Sequence, residues 1–243
     1  MALSKLFRKI GTSSSHKNRC KHAQHSPATV GITEDLASIT VVHQGIPVVI
    51  KREANPDAKI PALFAKTSRP CPPFCIQPMQ VADKVETIGE LELLSYLKVA
   101  NKKSVLVIDS RLANWVEKGT IPGSVNIPWT AITATEGMAL KQVFKLFTSQ
   151  FGVKQIKTPS IEAATRLIAL HKGHTLFDFT QAKTLVLFCN GPWCGQTTES
   201  IQALLALGYP PEKIKYYRDG MQGWVSLGLT IIGNTNNKVC KTH

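Results

Sequence analysis

An α/β fold, an open parallel sheet flanked by helices and preceded by a β-hairpin and a Cys/Pro-rich loop, is what this 243-residue sequence predicts. Two short, continuously apolar runs, VLVID at 105–109 and TLVLF at 184–188, read as parallel strands buried on both faces. Stretches with leucine and isoleucine at helical spacing stand before the first and after the second, the alternation expected of strand–helix units. Ahead of them, ITVVHQGIPVVIKRE at 39–53 sets two β-branched runs around a Gln-Gly pair, a hairpin signal in which Pro47 confines the second run to an edge.

At 43% hydrophobic and 19% charged, the chain is long enough to bury a sizeable core. No apolar run approaches the ~18 residues of a membrane-spanning helix, and the first residues lack the apolar core of a secretory signal. A cytoplasmic location is therefore expected. Six cysteines (Cys20, Cys71, Cys75, Cys189, Cys194 and Cys240) are too few to staple a chain of this length, so a chemical role for pairs of them is the better reading. The net charge of +13 does not point to nucleic acid, because the excess is not interleaved with aromatics along one face. Much of it sits in residues 1–30, which hold six Lys/Arg and no acid.

Taken in order, residues 1–35 read as a basic, flexible leader. Its start, MALSKLFRKIG, has the spacing of a weak interfacial helix suited to an anionic membrane surface; a solvated tail is the stronger reading. The extension, 36–84, holds the hairpin and TSRPCPPFCIQPM at 67–79, whose four prolines exclude helix and central strand. In the main domain, 85–232, Thr87 and Glu90 take capping-box spacing ahead of Leu91, Leu94 and Leu97. Asp109 then closes VLVID at the strand end where open sheets place ligands. MALKQVFKLFTSQFGV has the spacing of an amphipathic helix that could cover a pocket or be an ordinary surface helix, SIEAATRLIALH is a helix behind a serine cap, and TESIQALLAL the helix after TLVLF. Residues 233–243 are a tail.

Between TLVLF and that last helix runs CNGPWCG. With Cys189 at the strand end and the helix beginning near Gly195 or Gln196, the loop must curl and aim its N–H groups at the sulfur. A cysteine so placed drops from ~8.5 into the range ~3.5–7.5 and becomes a nucleophile. An inert buried thiol is the alternative.

VLVIDSRLANWVEKGTIPGSVNIPW resembles the first signature of the rhodanese family, an acid-x-Arg followed by a Gly-x-Ile-Pro-Gly-x-x-Asn-Ile-Pro turn. LVLFCNGPWCGQTTESIQALLALGYPPEKIKYYRDGMQGW resembles its second half, closed by Gly-x-x-x-Trp. The resemblance spans about residues 85–230 and implies a rhodanese-like sheet and a sulfurtransferase. Cys189 would carry sulfane sulfur as a persulfide, taken from thiosulfate or a persulfide and passed to a thiol or protein acceptor. The backbone of residues 190–195 would cradle it, Pro192 excepted, with Asn190, Gly191, Trp193, Gly195 and Gln196 at the substrate. Asp109 and Arg111 match the acid-x-Arg and join the catalytic set, a bracing salt bridge being at least as good a reading. Gly123 and Asn126 would shape the signature turn and Trp224 pack the final helix. No cofactor, metal or nucleic acid is implied.

Three features depart from the family. The loop has no Arg or Lys to meet a dianion, so its hydrogen bonds to a donor are neutral; and Gly195 stands where phosphatases of this architecture place Arg, which argues against phosphatase activity. Cys194 can act as a resolving thiol that attacks Cys189 and releases the sulfur, or can be an inward-facing bystander. Cys71 and Cys75, spaced like neither half of a zinc knuckle, can be sulfur acceptors over the site, a regulatory disulfide or inert thiols. His171 and His174 read as solvated loop residues. The rival to an enzyme is a non-catalytic binding or thiol-redox/metal-sensing module.

Overall fold

The computed structural model describes residues 30–100, 104–133 and 137–233. Nearly all of the basic leader, its amphipathic start, the C-terminal tail, Cys20 and Cys240 lie outside them. The hairpin forms as predicted: β1 (Ser38–His43) and β2 (Ile46–Lys51) pair antiparallel from Ser38↔Lys51 to His43↔Ile46. Gln44 and Gly45 make the turn at φ 50° and 82°, the left-handed pair whose twist matches that of the strands. Alternation puts Ile39, Val41 and Ile50 on one face, all buried. That face joins the main core, packing with Val107, Val186, Phe188 and Trp224. His43, at the end of β1, is also buried, and its Nδ1 accepts the Gly123 N–H at 3.2 Å. The hairpin is thus built into the domain.

A single turn, α1 (Ala62–Ala65), buries Phe64, and the Pro-rich segment then runs irregularly to β3 (Glu86–Thr87). The rest alternates: α2 (Glu90–Val99), β4 (Val105–Asp109), α3 (Ala113–Val116), β5 (Val125–Asn126), α4 (Gly137–Ser149), β6 (Lys154–Gln155), α5 (Ile161–Ala169), β7 (Phe177–Asp178), β8 (Thr184–Phe188), α6 (Gln196–Ala206), β9 (Ile214–Tyr217) and α7 (Gly220–Ser226). Five strands form one parallel sheet in the order β3-β9-β8-β4-β5, with the two apolar runs, β4 and β8, adjacent at its centre. β6 and β7 make a separate two-stranded antiparallel pair.

Each face of the sheet has its own apolar layer. On one, α4, α5 and α6 contribute Val143, Phe147, Ile168, Ile201 and Leu204 against Ile108, Leu185 and Leu187. On the other, the hairpin, α2 and α7 contribute Val41, Leu93, Leu97, Met221 and Trp224 against Val107, Val186 and Phe188. Removing a side chain of this size from water stabilises the fold by about 1.5–3 kcal/mol. The two layers explain why both central strands are apolar throughout.

Two expectations change. The helix after Thr87 begins later, because Thr87 is used in pairing β3 with Tyr216 of β9. Gly89 caps α2 instead, its N–H donating to Glu92 Oε2 at 3.0 Å. Leu94 and Leu97 are buried as expected, with Leu93 beside them, whereas Leu91 is 52% exposed. The second concerns α4, expected to cover a pocket. Its Leu140, Val143 and Phe147 are fully buried, and Phe147 packs among the rings of Phe151, Phe177, Phe179 and Tyr209. The apolar face of α4 is spent on the core, not on a lid.

Burial lowers the pKa of His43, which holds Nδ1 as an acceptor in the neutral ring. The unfolded chain then binds the proton more readily, so this contribution to stability is complete above the ordinary histidine value and fades as pH falls toward the lowered one. Thermal unfolding of the native chain should therefore lose more between pH 7.5 and 5.5 than that of His43→Gln, which keeps an acceptor but does not titrate. Equal losses would remove His43 as the cause.

A candidate active site at a disulfide-closed loop

β8 ends at Phe188 and α6 starts at Gln196, with Gly195 at its N-cap. The intervening loop is clamped from below by the first turn of α7: Met221 N–H donates to Cys189 O and Gln222 N–H to Asn190 O, both at 2.9 Å. Gly220, at φ +53°, permits that approach, since a Cβ there would lie 2.3 Å from Cys189 O. Trp193 Nε1 donates to Gln222 Oε1 at 2.9 Å. Of the predicted cradle, Cys194 N–H is occupied by Gly191 O at 2.9 Å, which tightens the turn. The N–H groups of Asn190, Gly191, Trp193 and Gly195 have no acceptor among the described residues.

Cys189 and Cys194 are joined by a disulfide across the loop, with Cα atoms 6.2 Å apart, and are 3% and 4% exposed. Gln196 Oε1 lies 3.4 Å from Cys189 Sγ, and rotating that amide would present its NH2 to a thiolate. Ser110, Thr197 and Trp129 carry buried side-chain N or O atoms with no partner among the described residues. Ser110 N–H bonds Phe188 O next to Cys189, Trp129 N–H bonds Ser110 O, and Thr197 sits in the first turn of α6. None of these three residues carried a sequence signal that would have selected it.

Asp109 and Arg111 are both fully buried. Arg111 grips the carboxylate with two hydrogen bonds, at 2.9 and 2.6 Å, and also donates to Gly119 O at 2.7 Å and to Asn190 Oδ1 at 3.4 Å. Thr120 Oγ1 donates to Asp109 Oδ2 at 2.6 Å. The pair joins the end of β4, the signature turn and the cysteine loop, the geometry of a brace. Asn126 adds to it through Asp109 O and Arg111 O, at 3.0 and 2.8 Å. Gly123 takes φ +87° in that turn, and Trp224, fully buried, donates from Nε1 to Thr230 O at 2.8 Å.

The Pro-rich segment lies against the loop as a strap. Gln77 N–H donates to Pro192 O at 2.7 Å, and its side chain accepts from Thr198 Oγ1 at 2.9 Å. The Arg69 guanidinium sits 3.5 Å from the centroid of the Trp193 ring, and Phe74 meets the same ring edge-on at 5.6 Å. Arg218 fixes the strap further through Gln77 O, at 3.0 and 2.9 Å. Sequence reasoning missed Arg69, Phe74, Gln77 and Gln222, whose side-chain partners Trp193 and Thr198 lie 29 to 124 residues away with no periodicity to link them. Cys71 and Cys75 form a second disulfide.

His171 and His174 are exposed, and no group of three His, Cys, Asp or Glu among the described residues could hold a metal. Burial pushes the Tyr216 hydroxyl up to about 12, and burial with Glu90 beside it pushes Tyr217 higher still, so both remain neutral phenols at neutral pH. Among the described residues, no helix is long and apolar enough to cross a membrane.

A family model of the rhodanese-like domain matches residues 94–227. Among solved structures, a human single-domain sulfurtransferase, TSTD1, matches at 19% identity and a TM-score of 0.35, over 60% of this chain and 97% of its own. No curated protein sequence matches.

Removing one member of the buried pair leaves the other charge unpaired, so Asp109→Asn should cost about 3–5 kcal/mol in urea denaturation. A loss below about 1 kcal/mol would mean that the pair does not brace the fold. Gly220→Ala should displace Cys189 and lower its alkylation rate in the reduced protein while leaving Cys71 alkylation unchanged; equal Cys189 rates would show that the loop tolerates the Cβ.

Proposed function

Since the chain belongs to the rhodanese-like domain family, we propose that it is a sulfurtransferase carrying sulfane sulfur as a persulfide on Cys189. In the reduced protein the Cys189 thiolate attacks the outer sulfur of a donor. The donor S–S bond breaks, its inner group leaves as a thiolate or as sulfite, and the sulfur stays on Cys189. An acceptor thiolate then takes that outer sulfur and Cys189 returns to a thiolate. The acceptor-free N–H groups of Asn190, Gly191, Trp193 and Gly195 suit an anion held without a base. Asp109 and Arg111 hold Asn190 and the loop in place and are positioning residues in this reading.

The observation that carries the proposal is the Cys189–Cys194 bond, which shows that the two sulfurs can meet. When Cys194 attacks Cys189 Sγ of the persulfide, hydrosulfide leaves and this bridge closes. The persulfide thus has two alternative exits: transfer of its outer sulfur to a thiol acceptor, small or protein-borne, or loss as hydrosulfide with the bridge as the oxidised product.

The loop itself carries no cation, but the strap brings Arg69 onto Trp193. Its Nε is buried without a hydrogen-bond partner among the described residues, and burial lowers its pKa. This supports an anionic donor and keeps thiosulfate beside low-molecular-weight persulfides.

Intact-protein mass spectrometry of the reduced chain after brief exposure to each donor tests this. A one-sulfur adduct that is absent in Cys189→Ser is expected, and Arg69→Ala should lower its yield from thiosulfate about tenfold, the loss of one charge-assisted contact, with less effect for a neutral polysulfide. No adduct from either donor on demonstrably reduced protein would favour a binding module instead.

A further inference from the structure

Among the described residues there are two disulfide-closed loops, and they meet. Phe74 lies between Cys71 and Cys75, Trp193 between Cys189 and Cys194, and the two rings pack edge to face at 5.6 Å. One backbone hydrogen bond, Gln77 N–H to Pro192 O, fixes the strap against the loop. Cys75 is two residues before that bond on one side and Cys194 two residues after it on the other. Gln77 Nε2 also donates to Cys75 O at 2.8 Å, which ties Cys75 to the anchor.

Access to the two bridges differs. The loop cysteines are 3% and 4% exposed, so a bulky reductant has no straight approach to their sulfurs. Cys71 is exposed and Cys75 half-buried, so the strap bridge has an outer and an inner end.

We propose that Cys71 and Cys75 are a dithiol relay that reduces the Cys189–Cys194 bridge, an exchange activity that goes beyond sulfur transfer. An external dithiol first attacks Cys71, opens the strap bridge and is itself oxidised to a disulfide. The Cys75 thiolate then attacks Cys194 Sγ; the loop bond breaks, Cys189 leaves as a thiolate, and a Cys75–Cys194 bond forms. Cys71 attacks Cys75 Sγ, the strap bridge re-forms, and Cys194 leaves as a thiolate. Two electrons pass from strap to loop, and the strap's two thiol protons are released to solvent or taken up by the loop thiolates. Cys189 is the better leaving group, because the acceptor-free N–H groups of the loop stabilise its thiolate while Cys194 N–H is already engaged with Gly191 O.

The test uses the full chain with Cys20→Ser and Cys240→Ser as background. In one variant, Cys71→Ser with Cys189→Ser removes the resolving and leaving thiols. Mild diamide oxidation should then give a Cys75–Cys194 cross-link in non-reducing peptide mass spectrometry. Cys75→Ser with Cys194→Ser, which leaves Cys71 and Cys189, should give about tenfold less. Separately, the oxidised background protein is mixed with limiting dithiothreitol, quenched with iodoacetamide and assayed for alkylated Cys189. Cys71→Ser with Cys75→Ser should slow its appearance about tenfold. A strap loosened by those substitutions would instead expose the buried bridge and speed its reduction. Equal or faster release, or no Cys75–Cys194 peptide, overturns the relay. Neither assay contains a sulfane donor, so a relay without persulfide formation would refute the sulfurtransferase reading alone, and the reverse result would refute only the relay.

Discussion

The ion pair of Asp109 and Arg111 is the constraint on which the site depends. A guanidinium and a carboxylate, both without solvent, are tolerable only where every lone pair and proton that matters is met. Here the partners that meet them, Thr120, Gly119 and Asn190, come from the signature turn and the cysteine loop. Satisfying the charge therefore fixes two loops that share no direct sequence contact with β4. The sheet supplies the platform, since β4 and β8 are neighbours and bring Asp109 opposite Phe188, one residue short of Cys189.

A second constraint acts from above. The loop is held between α7, whose N–H groups donate to its carbonyls from one side, and the strap, whose Gln77 N–H donates to Pro192 O from the other. Trp193 is the shared fixture: its indole N–H is spent on Gln222 while its ring carries Arg69 and Phe74. The extension thereby reaches the chemistry directly, and the hairpin that precedes it is anchored in the same core as α2 and α7. What distinguishes this chain from a bare rhodanese-like sheet is concentrated in that cover.

Much of this was legible in the sequence. The continuous apolar runs identified β4 and β8 because strands covered on both faces leave no polar alternation, and Gln44-Gly45 identified the hairpin because few pairs accept two left-handed residues in a row. The two-residue strands β3, β5, β6 and β7 left no trace, being too short for any period to register. Thr87 and Glu90 misled because capping spacing is local, whereas the competing claim on Thr87, pairing with β9, is tertiary. At the candidate site, the place of Cys189 at a strand end and the tight loop after it were readable from a cysteine followed by glycine and proline. The strap contacts were not: a cation over an indole and a glutamine on a proline carbonyl have no signature until the chain is folded.

Beyond the site, β2 is sewn to the far end of the domain: Lys51 O accepts Thr230 N–H at 3.1 Å, Glu53 N–H donates to Gly228 O at 2.7 Å, and Arg52 bridges Leu229. These partners are separated by up to 179 residues. During synthesis the hairpin can pair β1 with β2 at once, but these attachments to Gly228, Leu229 and Thr230 wait until the residues after α7 have left the ribosome. The stretch matched by the family model, residues 94–227, therefore leaves out both sides of this seam, the β2 strand and residues 228–230.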